Sequence, residues 1–245
     1  EGVDEHIASA QQAMLDERAV AVASDVVEVD VYGPSCLNLT VIDLPGIVRS
    51  VGKSESATLI EDIKKLTRSY LDNPRCVILV VHPANVDFHN SQIMHDAKEV
   101  DPATARTIPV ITKPDQIDSG AEGNVHDLLL GKLMEFDMGF HMVKCRGQKD
   151  LNEGKTLQQG LEDEQTFFAK TAPWIDEPNS KLFGIPELRR KQARLQVQCT
   201  RASIPGIIKE IAAKRTVNDE ILKTLGTLLS TDQERRNFVA TSTKR

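Results

Sequence analysis

Aromatic residues are scarce: they make up 4% of the 245 residues and include a single tryptophan, so a core has to be built chiefly from aliphatic side chains. Cysteine is scarcer still. Cys36, Cys76, Cys145 and Cys199 lie tens of residues apart without a C-x-x-C pair, which argues against a disulfide scaffold and a zinc knuckle and implies a reducing compartment. The histidines form no H-E-x-x-H or comparable ligand cluster, so a built-in transition-metal site is not expected. The longest apolar run, Cys76 to Val81, falls far short of a bilayer span, and no basic, apolar, small-residue opening marks a signal peptide.

What is present is an ordinary globular composition, 40% hydrophobic and 27% charged, with a formal net charge of −6. The charge is unevenly distributed. Residues 1–180 carry 16 Lys and Arg against 30 Asp and Glu, whereas residues 181–245 carry 14 against 6. An acidic body disfavours generic nucleic-acid binding; a basic helical tail suits acidic partners, lipid headgroups or another copy of the chain. The chain opens on Glu1 rather than Met, and the expectation is of a fragment.

Helical spacing of Ile7, Ala10 and Met14 predicts a first helix over 3–16. Val27, Val29 and Val31 alternate with acidic residues and predict a half-exposed strand, and 37–44 predicts a second, central strand. A helix is expected over 54–71. Strands over 76–82, 107–112 and 139–145 then alternate with helices near 91–99, 123–136 and 153–170. Such alternation implies βαβ units: a mostly parallel α/β sheet with helices on both faces. After Trp174 the pattern changes to long helices, 182–200 and about 204–228, the second capped by Ser203 with Pro205 in its first turn.

Ligands of parallel sheets bind beyond the carboxyl ends of the strands. Three predicted strands end in polar turn clusters: Asp43-Leu44-Pro45-Gly46, Thr112-Lys113-Pro114-Asp115 and Cys145-Arg146-Gly147-Gln148. The Asp43 carboxylate can hold a hydrated Mg²⁺, and the Gly46 N–H can approach a terminal phosphate. By itself that tetrapeptide is no more than a turn after a strand. The Asp115 carboxylate can accept two hydrogen bonds from the ring N–H and exocyclic amine of guanine, with the Lys113 stem lying over the base. Adenine lacks that donor pair, so Asp115 selects the base.

The stretches LTVIDLPGI (39–47), HPANVDF (82–88), AKEVDP (97–102), RTIPVITKPD (106–115) and VKCRGQKD (143–150) resemble the GTPase domain of the dynamin superfamily, with TKPD and KCRGQ most similar to its Mx-like members. The resemblance implies a P-loop NTPase-like fold, with residues 1–203 as the GTPase domain, 204–228 as a bundle-signalling-type helix and 229–245 as the start of a helical stalk. It makes Asp43 and Gly46 the switch II pair serving Mg²⁺ and the γ-phosphate. Thr112, Lys113, Asp115 and Asp118 become the base-reading motif; Cys145, Arg146, Gly147 and Gln148 close over base and ribose. Arg49 and Asp87 fall in loops near the face where two such domains pair, although ordinary solvated charge explains them equally well. GTP and Mg²⁺ are the implied ligands. Implied partners are other copies of the chain, through GTPase-domain and helical surfaces, and a membrane or cytoskeletal element such as a microtubule. The implied location is cytoplasmic with peripheral membrane attachment.

The family's phosphate-binding G-x-x-x-x-G-K-[ST] loop and switch I threonine are not found before Asp43. The segment from Gly46 to Gly52-Lys53-Ser54 has five residues between its glycines instead of four, which spoils the nest of N–H groups that wraps phosphates. The expectation is therefore an N-terminally truncated GTPase domain, deficient in hydrolysis by itself and marginally stable, whose intact form hydrolyses GTP to drive assembly-dependent membrane remodelling or target gripping. The alternative is a non-enzymatic binding or regulatory module that joins dynamin-like assemblies. An ATPase built on Gly46 to Ser54 fails on spacing and on Asp115.

Overall fold

The computed structural model describes residues 3–18, 26–34, 39–45, 59–88, 91–225 and 231–242. Its elements, in chain order, are α1 (Val3–Arg18), α2 (Leu59–Leu71), β1 (Ile78–Pro83), α3 (Gln92–Val100), β2 (Thr107–Thr112), α4 (Glu122–Leu129), β3 (His141–Val143), α5 (Gln148–Asn152), α6 (Leu157–Lys170), α7 (Ile185–Leu225) and α8 (Asp232–Ser242). The chain divides into two compact units, Glu1–Val197 and Gln198–Arg245.

In the first unit the three strands form a parallel sheet in the order β1-β2-β3. The α/β expectation holds: parallel neighbours need crossovers, and α3 and α4 occur in the two connections. The central strand is buried on both faces up to Val110 and Ile111, as its unbroken apolar sequence requires. β1 alternates instead, with Val80 in the core and Leu79 and Val81 exposed. Scarce aromatics are concentrated where elements meet. Phe168 of α6 stacks on Phe183 at 4.7 Å between ring centroids, and Phe136 meets Phe140 edge-on at 5.4 Å.

The α3–β2 connection is tied by one buried acid and one arginine. Asp101 accepts from the N–H groups of Ala105 and Arg106 and from the Thr107 hydroxyl. This fixes a turn that aims the Arg106 guanidinium at four carbonyls, those of Leu71, Asn73, Cys76 and Val100. A single cation thus satisfies the carboxyl ends of α2 and α3 and the entry to β1.

Two predicted strands are not observed. Residues 26–33 and 39–45 carry no regular structure, and Val29, Val31, Val41 and Ile42 are exposed. Alternation and apolarity make a segment competent for a strand, but a strand also needs a hydrogen-bonded neighbour, and among the described residues neither segment has one. The predicted helix over 123–136 stops at Leu129, because Gly131 at φ +75° turns the chain out. The helix expected over 153–170 starts later, as α6 at Leu157, because Gly154 at φ +72° turns the chain and a Thr156–Gln159 capping box opens the helix; the short α5 that precedes it was not expected. Helices 182–200 and 204–228 are instead one helix, α7, with Pro205 inside it. Ser203 does not cap a new helix; its hydroxyl donates to the Cys199 carbonyl one turn back.

The second unit holds the rest of α7 and α8. Ile204, Ile208, Ile211, Ile221, Leu222 and Leu225 form an exposed apolar series on α7. Among the described residues no helix is long and apolar enough to cross a membrane. Cys76 and Cys145 form no disulfide among the described residues; Cys36 lies outside them.

Two predictions concern stability. Arg106→Met leaves four carbonyls without their cationic donor and should cost about 2–4 kcal/mol in urea unfolding. His141 is fully buried, with Nε2 on the Gly184 carbonyl at 2.8 Å and Nδ1 unpartnered. Burial lowers its pKa from 6.5 to about 4 against the pull of the Gly184 carbonyl; Lys191 adds to the lowering and Glu187 opposes it. The unfolded state therefore takes up the proton first, and this contribution to stability, on the order of 3 kcal/mol, is complete above about pH 6.5 and lost as pH falls toward 4. His141→Gln, which keeps a donor for Gly184, should flatten that slope.

Candidate functional site

Parallel register decides which loops share an edge. Pro83 is paired with Thr112 and Thr112 with Val143, so the loops that follow β1, β2 and β3 leave from one end of the sheet. Two predicted clusters, 112–118 and 145–148, are brought together there, with Asp87 in the neighbouring loop after β1.

After β2, Lys113 adopts φ 57°, ψ 46°, a left-handed conformation unusual for a side chain larger than glycine. Pro114 is buried and anchors a 3₁₀ turn over Pro114–Gln116, whereas Lys113, Asp115 and Asp118 are exposed and Thr112 is half-buried. The carboxylate predicted to read a base is thus held on a short, fixed turn and left in solvent. Strained backbone of this kind costs on the order of 1 kcal/mol and is concentrated at binding loops.

The loop after β3 is held from below by α6. Glu164 is 2% exposed, and its carboxylate accepts from the Lys144 N–H and the Ile185 N–H, both at 2.8 Å. Burial pushes the Glu164 pKa up while these two N–H groups and the Lys144 charge oppose the rise. Beyond Lys144, Cys145 is exposed, and partial burial of its surroundings, with the Glu164 and Asp115 carboxylates, pushes its thiol pKa up. Arg146 lies half-buried and donates from Nη1 to the Lys155 carbonyl at 2.7 Å. Its stem fills the space left by Gly160 of α6, where an added Cβ would sit 2.7 Å from Arg146 Cγ. Gly147 donates its N–H to Asp150, whose carboxylate also takes the Lys155 ammonium; Lys155 bridges on to Asp163. These partners lower the Asp150 pKa and raise that of Lys155.

Asp43 is not brought to a regular strand end: it is exposed on the irregular segment 39–45. Gly46, Arg49, Gly52, Lys53 and Ser54 lie outside the described residues. Among the described residues no group of three His, Cys, Asp or Glu could hold a metal ion. A Mg²⁺ ion takes one or two carboxylates and completes its shell with water and phosphate, so Asp43 offers one ligand of that kind.

The supporting residues Glu164, Gly160, Asp150, Lys155 and Asp163 were not anticipated from sequence. One signal was available. Leu161, Glu164 and Phe168 recur at helical spacing, which places an acid on the apolar face of α6.

Comparison with known proteins identifies the family. A model described as "Dynamin family" matches residues 2–114, and one described as "Dynamin central region" matches residues 124–245. The chain belongs to the dynamin superfamily. It is Mx-like: it is 33% identical over 225 residues to the interferon-induced GTP-binding protein Mx1 of Oncorhynchus mykiss, covering 92% of this chain and 36% of that protein. It is 31% identical over 237 residues to Mx1 of Equus caballus, covering 96% and 36%. Against Mx1 of Mus musculus it is 39% identical over 149 residues, covering 61% and 24%. The chain spans about a third of the length of the first two of these relatives.

Gly160→Ala should expel the Arg146 stem and free the Lys155 carbonyl. The expected result is faster amide exchange across 144–156 and a loss of about 1–2 kcal/mol in stability, with exchange in β1 and β2 unchanged.

Proposed function

We propose that this dynamin-family, GTPase-like segment recognises the guanine base of GTP through the two loops at the carboxyl edge of β2 and β3. The observation that carries the reading is the parallel register that brings the loops after β2 and β3 to one edge of the sheet. Asp115 takes the ring N–H and amine of guanine, and the Lys113 stem covers one face of the base. Thr112 and Asp118 belong to the same base-reading motif. Residues 145–148 close over the base and ribose, their backbone set by Glu164 and Gly160.

The names of the relatives, GTP-binding proteins, support the same chemistry. In the intact protein, on this reading, Asp43 and Gly46 serve Mg²⁺ and the γ-phosphate, and GTP is hydrolysed to GDP. Mg²⁺ when bound would neutralise phosphate charge; the described residues contribute the base-binding half. Self-association through this domain and the helical second unit, peripheral membrane or cytoskeletal attachment and a cytoplasmic location belong to the same proposal.

Titration of the chain with fluorescent GTP and ATP analogues tests base selection. GTP should bind at least tenfold tighter than ATP. In Asp115→Asn that preference should disappear and the xanthine analogue should gain, because an amide donor matches the carbonyl that replaces the guanine amine. Equal binding of GTP and ATP by the unsubstituted chain would contradict the reading.

A further inference from the structure

Between α6, the 174–184 connection and the first turn of α7 lies an open cavity of about 660 Å³, within the range of ligand pockets. Its floor is aromatic: Phe168, Trp174 and Phe183 are all buried there, with Leu161 and Pro186 beside them. Four glutamates line it, Glu162, Glu164, Glu177 and Glu187, and no lysine or arginine does.

The charge is only partly compensated. Glu187 pairs with Arg190, outside the lining. Glu177 accepts from His126 and from the Asn179 N–H, Glu164 from two backbone N–H groups, and Glu162 from the Gln158 amide. Glu187 is the one of the four in an ion pair with a permanent cation among the described residues. Carboxylates bordering an apolar concavity attract cations more strongly than the same groups on an open surface, because low-dielectric walls focus the field. The aromatic floor adds a second reason, since ring faces attract guanidinium and ammonium groups.

We propose that this cavity binds a polypeptide segment that presents an arginine or lysine beside bulky apolar side chains. The apolar groups cover Phe168, Trp174 and Phe183, and the cation meets the glutamate rim. The volume accommodates several side chains rather than one, which favours a peptide over a free amine. This inference does not rest on the nucleotide reading.

Trp174 is the single tryptophan of the chain, so its emission reports on the cavity without a label. The full chain is titrated with the capped peptide acetyl-Leu-Arg-Phe-Arg-Leu-amide, with the same peptide carrying Glu in place of both Arg residues, and with spermine. The expected result is a saturable change in emission with Kd on the order of 100 μM, weakened at least tenfold in the Glu peptide. Raising salt from about 0.05 to 0.5 M should weaken binding severalfold. Glu162→Lys, on the exposed face of α6, should weaken it about tenfold while the urea midpoint stays that of the parent. If that variant unfolds, the peptide charge series on the unsubstituted chain decides. No saturable change up to about 1 mM, or equal affinity for the Arg and Glu peptides, overturns the proposal. Spermine binding as tightly as the Arg peptide overturns the assignment to a polypeptide.

Discussion

A buried carboxylate that takes the N–H of Lys144 with one oxygen and the N–H of Ile185 with the other is the joint on which the first unit turns. Glu164 sits on the apolar face of α6, yet it is not a defect there, because its two acceptors meet two backbone donors that would otherwise be orphaned. One donor stands where β3 ends; the other opens α7. The tie is reinforced nearby: Gly184 donates to the Met142 carbonyl at 2.9 Å, and Lys191 donates to the carbonyls of Gly139 and Phe140. Burial and desolvation lower the Lys191 pKa to about 8, with Arg194 adding like-charge pressure. The root of α7 and the short strand β3 therefore behave as one piece.

Everything proposed for the site follows from that piece and from the register of β2. A three-residue strand is too short to define a loop by itself, so the 144–148 segment owes its position to α6 beneath it. On the other side, Asp101 and Arg106 fix where β2 begins, and Pro114 fixes how it ends. Two independently anchored loops are then presented at one edge, Asp115 from one and Cys145 to Gln148 from the other. Binding sites on rigid supports of this kind lose little order when a ligand arrives.

The legible part of the sequence was the part whose signal is local. The run TIPVIT announces β2 to the residue, and the TKPD turn after it is readable because Pro114 and Asp115 have distinct chemistry. Helix ends were harder: Gly131 follows the early end of one helix and Gly154 the late start of another where periodicity alone continues them, and Pro205 fails to divide what it was expected to. The segments 26–33 and 39–45 show why apolar alternation is insufficient, since strand formation is decided by a neighbour that periodicity does not reveal. Asp43 consequently stayed apart from a regular strand end. The supports of the site were least legible, because Glu164, Gly160 and Lys155 act through backbone groups distant in sequence, and only the acid on the apolar face of α6 left a trace.

The central claim is that a guanine base is held jointly by the loops after β2 and β3. Hydrogen exchange by mass spectrometry, with saturating GTP or ATP added to the full chain, tests it most directly. The account predicts protection in 112–118 and 144–148 together, with GTP and not with ATP. Protection of one loop without the other, or the same protection with both nucleotides, would contradict it.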